Sequence, residues 1–314
     1  HASGRPVRIA IPYEFFFQYS RHYPGTAHLY VPFEGELSGY SCVMATIYHS
    51  TERLRERKES EPSLRALYYV QDYEPWFFDR GTPEFVRALE SYRAVDGVLC
   101  CVTTNWLKRL LSDRHSIDAT LLPPSVEKSR IDETRGVAGG TVKVSAMNRP
   151  QTPRRAAART KRRQRDVCRQ RAKEVADFGC LNSDLHHFGI ARDFPFQNHG
   201  ILDRQEVAAL LRNSQVFVDF SEFQAFGLTA LEAMARGTVA VVPKNGGAKE
   251  FVADGESGFL VDSEDEQDCR AVLLKAIEHV RVGDTSMVQS AQRVSSLFSP
   301  IRAVGVLTSV IDSG

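Results

Sequence analysis

Val216-Phe-Val-Asp-Phe-Ser221-Glu-Phe-Gln224-Ala-Phe226-Gly227-Leu228-Thr-Ala-Leu-Glu232-Ala-Met-Ala-Arg-Gly237 runs from an apolar stretch through a short loop into an amphipathic segment. The pattern predicts a strand over 215–220 and a helix that opens at about Gly227. Such a junction leaves backbone N–H groups near Phe226, Gly227 and Leu228 without intrahelical acceptors, and the helix dipole adds to their pull on an anion such as a diphosphate. Gly227 also lets a ligand approach the backbone. With 3.6 residues per turn, Leu228, Leu231, Glu232 and Ala235 fall on one face, which puts a carboxylate inside an apolar stripe. A buried carboxylate needs donors, and ribose hydroxyls at the sheet edge would supply them. The plainer alternative leaves Glu232 at the edge of the stripe, reaching water.

The next unit repeats the arrangement. An apolar run over 239–242 ends in Pro243-Lys-Asn-Gly246-Gly247-Ala-Lys-Glu250, where the glycine pair lets the chain pass close to a ligand before a helix. A glycine pair alone is more often a simple turn. Two strand–loop–helix junctions in succession place both loops on one edge of a parallel sheet, the edge at which open α/β folds bind ligands.

Working outward, strand and helix signals alternate along all 314 residues, which predicts an α/β fold with parallel sheets. Strands are expected near 8–13, 28–33, 42–48, 66–71, 97–102 and 119–122, with helices at 82–92 and 105–112. A charged, Pro- and Gly-containing stretch without apolar period follows. It divides the chain into 1–124, a linker at 125–140, and a second domain at 141–314. That domain is expected to hold strands near 142–147, 175–178, 215–220, 239–242 and 258–261, helices near 204–212, 227–236 and 264–281, and a tail that is helical in pieces.

Hydrophobic residues make up 42% and charged residues 25%, with a net charge of +1, so bulk attraction to nucleic acid or membrane is not expected. The balance conceals ten Lys/Arg against Asp166 alone between Arg154 and Lys173, a segment charge of +9. Its stretch 159–173 has too few apolar residues for a buried helical face. The six cysteines form no C-x-x-C. Cys100 and Cys101 fall in a strand-like run as small hydrophobes, and the set points to a reducing, cytosolic compartment. No run approaches 18 apolar residues, no signal peptide is visible, and His1-Ala-Ser-Gly4 reads as a remnant or an internal cut. His186-His187 lacks a second ligand cluster and reads as an exposed turn; no metal site is expected.

The order Ser221, Phe226-Gly227-Leu228, Leu231-Glu232-Ala233-Met234-Ala235, Gly237, Val241, Gly246-Gly247, Glu250, Asp254-Gly255, Gly258 and Val261 resembles retaining glycosyltransferases of family 4. The resemblance implies a GT-B fold of two Rossmann-like domains, with the donor site in the second. In that family two glutamates stand eight residues apart. The second, on the donor ribose, maps to Glu232. The first, near the sugar, maps to Gln224, an amide that still hydrogen-bonds hydroxyls but carries no charge. An Arg and a Lys of the family hold the donor diphosphate. Arg149 and Arg155 stand at a similar spacing after the strand at 142–147, the alternative being a solvated basic loop. Asn198-His199-Gly200 matches a family loop in which the histidine is more often structural than catalytic. Gln71-Asp72-Tyr73-Glu74-Pro75 is similar to rhamnosyltransferase-like members, and Asp72 or Glu74 would orient the acceptor hydroxyl, unless one of them caps the following turn. Residues 1–124 fall about one βα unit short of the family's opening strand, Gly-rich loop and helix, which implies an N-terminal truncation.

The reading is therefore transfer of a sugar from a nucleoside diphosphate sugar to a glycan, lipid-linked or other hydroxyl acceptor with retention. It is expected to need neither cofactor nor metal, because Arg149, Arg155 and the helix-terminal amides would neutralise the leaving diphosphate. A cytoplasmic location is implied, with a peripheral contact at the inner membrane face. Two alternatives stand beside it. One is a donor-binding relative without turnover, suggested by Gln224. The other is a contact of 154–173 with an anionic surface or nucleic acid, against which the absence of interleaved aromatics argues.

Overall fold

The computed structural model describes residues 6–35, 38–127, 142–150, 174–190 and 196–313. Arg155, the basic run 154–173, most of the expected linker and residues 1–4 lie outside these. In chain order the first half contains β1 (Ile9–Ile11), α1 (Phe16–His22), β2 (Tyr30–Pro32), β3 (Cys42–Ala45), α2 (Ser50–Ser60), β4 (Arg65–Val70), α3 (Pro83–Glu90), β5 (Leu99–Val102), α4 (Asn105–His115) and β6 (Thr120–Leu121). The second half contains β7 (Lys143–Met147), β8 (Glu174–Phe178), α5 (Asn182–His187), β9 (Gln197–Asn198), α6 (Arg204–Arg212), β10 (Val216–Val218), α7 (Leu228–Ala235), β11 (Val239–Pro243), β12 (Phe259–Val261), α8 (Glu266–Val282), α9 (Ser286–Ser296) and α10 (Pro300–Asp312).

Every strand pairing is parallel, as the alternation of elements implied. The first half forms a four-stranded sheet, β3-β4-β5-β6, and a separate two-stranded ladder of β1 and β2. The second half forms one six-stranded sheet in the order β12-β11-β10-β7-β8-β9. From β7 the chain winds outward one way through β8 to β9, then returns and winds the other way from β10 to β12. The reversal falls between β7 and β10, so the crevice beyond their carboxyl ends is where a doubly wound sheet takes a ligand.

Helices start where the sequence supplies caps. Thr82 and Thr104 accept from Phe85 and Leu107 amides at the starts of α3 and α4, and Asp203 with Glu206 forms a capping box on α6. Helix α8 ends at Gly283, whose φ of 78° is the left-handed value a side chain would resist. Both faces of the second sheet are covered. Val144, Val218, Val241 and Val261 pack against Leu273 and Ile277 of α8 on one side. On the other, Phe217, Ala240 and Val242 meet Leu211, Leu231 and Met234.

In the first sheet Cys100 and Cys101 point to opposite faces, Cys100 into the core with Tyr68 and Leu107 and Cys101 toward Leu67 and Leu122. Burial pushes both thiols up to about 11, as inert core sulfur requires. The face around Cys101 is covered by α10, through Val306, Leu307, Val310 and Ile311, and Arg65 donates to the Val310 carbonyl at 2.7 Å. This corrects the division at 141–314, since the last helix completes the first domain rather than the second. Its apolar face could have served either sheet, and the pattern alone does not choose.

The stretch Ser286–Asp312 is, by length and composition, apolar enough to cross a membrane. No unbroken apolar run marks it in the sequence, because Gln289, Gln292, Arg293 and Arg302 interrupt it. It is divided into α9 and α10, with Ser299 capping the second, and Met287, Ala291 and Val310 turn inward. His186 and His187 also differ from expectation, lying in the last turn of α5 rather than in a turn, though both are exposed.

Candidate functional site

The loops after β7 and β10 meet at the reversal of the second sheet. After β10, Asp219 to Phe226 form a compact loop in which Ser221 and Gln224 are nearly inaccessible, at 1% and 4% exposure. An Asp219 carboxylate oxygen accepts from the Ser221 amide at 2.9 Å and from its hydroxyl at 2.5 Å. Gln224 Nε2 donates to the other carboxylate oxygen at 2.5 Å and to Ser221 Oγ at 3.2 Å. A carboxylate only accepts, so this contact fixes which end of the amide is which. Gln224 Oε1 is thus the atom left to accept from a hydroxyl. Asp219 was not singled out from the sequence, because an acid ending an apolar strand reads as a turn residue.

Gly227 caps α7 at φ 97°, a conformation only glycine adopts cheaply. Among the described residues the amides of Phe226, Gly227 and Leu228 donate to no backbone or side-chain acceptor, as the sequence led one to expect. The Phe226 ring is spent elsewhere, packing on Phe251 and Phe298 at 5.0 and 5.6 Å. Leu228 does not join the inward face, since it is 41% exposed while Leu231 is fully buried. Glu232 lies between these extremes, half-buried. Burial raises its carboxyl above the usual carboxylate range, and Arg236 and Arg204 act against that rise. The residue is therefore a partly desolvated acceptor, neither fully in the core nor splayed into solvent.

After β7 come Asn148 and Arg149. Asn148 is 1% exposed, and neither end of its side-chain amide finds a hydrogen-bond partner among the described residues. Such a group is costly to bury unless something satisfies it. Arg149 is exposed. His199, on the loop after β9, is half-buried, its Nε2 likewise finds no partner among the described residues, and burial with nearby Lys143 lowers its pKa.

The glycine pair has a different job from the one its sequence suggested. Gly247 N–H donates to the Gln224 carbonyl at 2.7 Å, and Gln224 N–H donates to Asn245 at 3.3 Å. A Cβ on Gly246 would stand 2.0 Å from the Gln224 carbonyl oxygen, and one on Gly247 2.2 Å from that of Ala225. Both glycines are needed for one loop to lie against the other. Their open faces meet protein, and the Gly247 amide is already engaged.

In the first domain Asp72 accepts from the Tyr73 amide at 2.9 Å. Glu74 is 5% exposed, accepting from the Tyr48 amide at 2.6 Å and the Tyr68 hydroxyl at 3.2 Å. Burial pushes its carboxyl up to about 7. This corrects its place among the acceptor-facing residues: it pins the loop after β3 from beneath. A cavity of about 630 Å³ in this domain is lined by Arg55, Arg87, Arg93 and Arg114 with Glu52 and Glu90. It lies among α2, α3 and the far end of α4, and Tyr48 of the loop after β3 forms part of its wall.

Residues 196–286 match the family described as glycosyl transferases group 1. A mannosylfructose-phosphate synthase from Agrobacterium fabrum (strain C58) is 30% identical over 100 residues, which make up 32% of this chain and 22% of that protein. Among solved structures, sucrose-phosphate synthase from Thermosynechococcus elongatus superposes with a TM-score of 0.73 at 15% identity, covering 96% of this chain and 80% of that one. Anabaena HepE in complex with UDP-glucose gives 0.67 at 16% identity, over 88% and 79% of the two chains. These two likenesses concern the fold. The segments matched in the curated relatives amount to between about a fifth and two-fifths of their length.

Proposed function

We propose, on the premise that residues 196–286 carry the glycosyl transferases group 1 signature, that this chain is a GT-B glycosyltransferase transferring a sugar from a nucleoside diphosphate donor to a hydroxyl acceptor with retention. One observation carries the reading. At the reversal of the second sheet, a half-buried carboxylate on α7 stands one turn behind amides that donate to nothing in the described chain. A ribose on Glu232 and a diphosphate on the amides of Phe226, Gly227 and Leu228 satisfy both.

The remaining roles follow from chemistry. Arg149 and Arg155 neutralise the leaving diphosphate without a metal. Gln224 Oε1 accepts from a sugar hydroxyl, Ser221 and Asp219 hold it in place, and Asp72 faces the acceptor. A uridine nucleotide is the first donor to try, since HepE was solved with UDP-glucose. The Gln71-to-Pro75 motif makes deoxyhexose donors the second.

Calorimetry with UDP, GDP and dTDP on wild type and Glu232→Ala tests the site, and equal affinities for the two proteins would remove Glu232 from it. A donor panel with NMR of the product anomer, with and without chelator, tests transfer, retention and metal independence. Binding without turnover is favoured by the neutral Gln224, and product above background rejects it.

A further inference from the structure

We infer that Glu250 is a positioning residue that latches the two domains together against the loop Ser221–Phe226; the inference rests on the transferase reading for its catalytic consequence alone. Glu250 lies in the short turn after β11, in the second domain. Its carboxylate reaches across to the start of α4, in the first. One oxygen accepts from the Asn105 backbone amide at 2.9 Å and from its side-chain amide at 3.0 Å. The other accepts from the Trp106 amide at 2.6 Å. A carboxylate from one domain thus closes the amino end of a helix in the other, where unsatisfied amides and the helix dipole both favour negative charge.

The contact does not stand alone. Thr104, the residue that caps α4, donates through Oγ1 to the Ala225 carbonyl at 2.9 Å while accepting from Leu107. Gly247 is the glycine that permits this approach, since a Cβ there would meet Thr104 Cγ2 at 2.4 Å. Beside it Phe223 stacks on Trp106 and meets Trp76 edge-on, with ring centroids 5.8 and 5.0 Å apart. Thr104, Trp76 and Trp106 belong to the first domain, and each touches a residue adjacent to Gln224. The distance from the acceptor side to Gln224 is therefore set by this seam.

Glu250, with its partner Asn105, is the exposed part of the seam. Thr104 and Phe223 are buried, whereas Glu250 is exposed. Exposed charge-assisted contacts are screened by salt and exchange readily with water. The latch is accordingly the element that opens first when the domains part, and the aromatic wedge follows.

The experiment uses the full chain with Glu250→Ala, Glu250→Gln and Glu250→Asp. Small-angle scattering should show a larger radius of gyration for the Ala variant than for wild type, with Asp partly restoring the compact value. Nucleoside diphosphate affinity by calorimetry should stay within about twofold, because both Glu250 carboxylate oxygens are taken up by the start of α4. Turnover should fall on the order of 10²-fold in kcat with little change in donor KM, the cost of misplacing reacting groups by about 1 Å. Unchanged scattering would overturn the inference, whatever the turnover. Lost nucleotide affinity would also overturn it, by making Glu250 a donor ligand. If wild type turns over no donor, the transferase reading fails while scattering still decides the latch.

Discussion

Gln224 and Asp219 are joined side chain to side chain, the Gln224 amide nitrogen donating to the Asp219 carboxylate at 2.5 Å. The amide at this position is therefore matched to its neighbour. Gln224→Glu would set two carboxylates in contact inside a loop where residue 224 is 4% exposed. One of them would hold a proton above its usual range or repel the other. The expected result is a loss of about 1–3 kcal/mol of stability at pH 8. A carboxyl whose folded pKa is raised loses stability as pH rises past its unfolded value, so the loss should shrink toward pH 4. Adding Asp219→Asn should recover most of it. Urea titrations of the two single variants and the double variant at both pH values measure this. An undiminished melting temperature in Gln224→Glu would show that the contact does not matter.

Glu74 gives a second pH dependence, in wild type. Its folded pKa of about 7 lies above the ordinary 4.5, so the fold prefers the protonated form. The associated stability is complete below about pH 4.5 and is lost as pH rises to about 7, a change of about 3 kcal/mol. Glu74→Gln keeps an acceptor for Tyr48 and Tyr68 and carries no charge. The variant should melt at nearly the same temperature at pH 5 and pH 8, while wild type falls. Transfer activity should survive it, because the residue serves the loop after β3. Loss of activity without loss of stability would return Glu74 to the acceptor site.

Gly247→Ala isolates the seam from the backbone. Gly247 has a φ of −89°, which alanine adopts freely, so any penalty comes from space. The new methyl would meet the Ala225 carbonyl and Thr104, and overpacking of this kind costs about 1–3 kcal/mol. Thr104→Ala in the same chain should return part of that cost but not all, because the Ala225 carbonyl stays. A denaturant series on the three variants checks the order.

The sequence made the sheet legible and the seam invisible, for a physical reason. Eleven strands announce themselves as apolar runs, Val216–Val218 and Val239–Pro243 most plainly, because buried parallel strands need apolar residues on both faces. β9 was missed: Gln197 and Asn198 are polar, and they form a strand only because β8 offers them a ladder. α2 was missed because Thr51 and Leu54 are its only fully buried residues, leaving almost no apolar period. Glu232 was readable from its misfit within a helix stripe. Glu250 stands in the family-like order, but its contact with α4 was not readable, since its partners lie 145 and 144 positions away. Asp219, Asn148 and the docking of α10 share that character. Each depends on what lies opposite in space, which periodicity does not encode.

The strongest test of the donor site is the pH dependence of nucleotide binding. Glu232 has its carboxyl raised by burial, and only the ionised form offers two charged, acceptor-only oxygens to the ribose hydroxyls. Nucleoside diphosphate affinity should therefore weaken as pH falls through that raised value, while the folded protein remains intact. A terminal phosphate of the ligand also titrates in the mildly acid range, so wild type alone does not separate the two. Glu232→Gln supplies the reference. Its affinity at pH 8 should be lower by about ten- to a hundredfold, the size of a charge-assisted hydrogen bond, and its remaining pH slope belongs to the ligand. The wild-type slope should exceed it, and the two proteins should approach each other toward pH 5. Parallel curves from pH 5 to 8 would mean that the Glu232 carboxylate never meets the ribose.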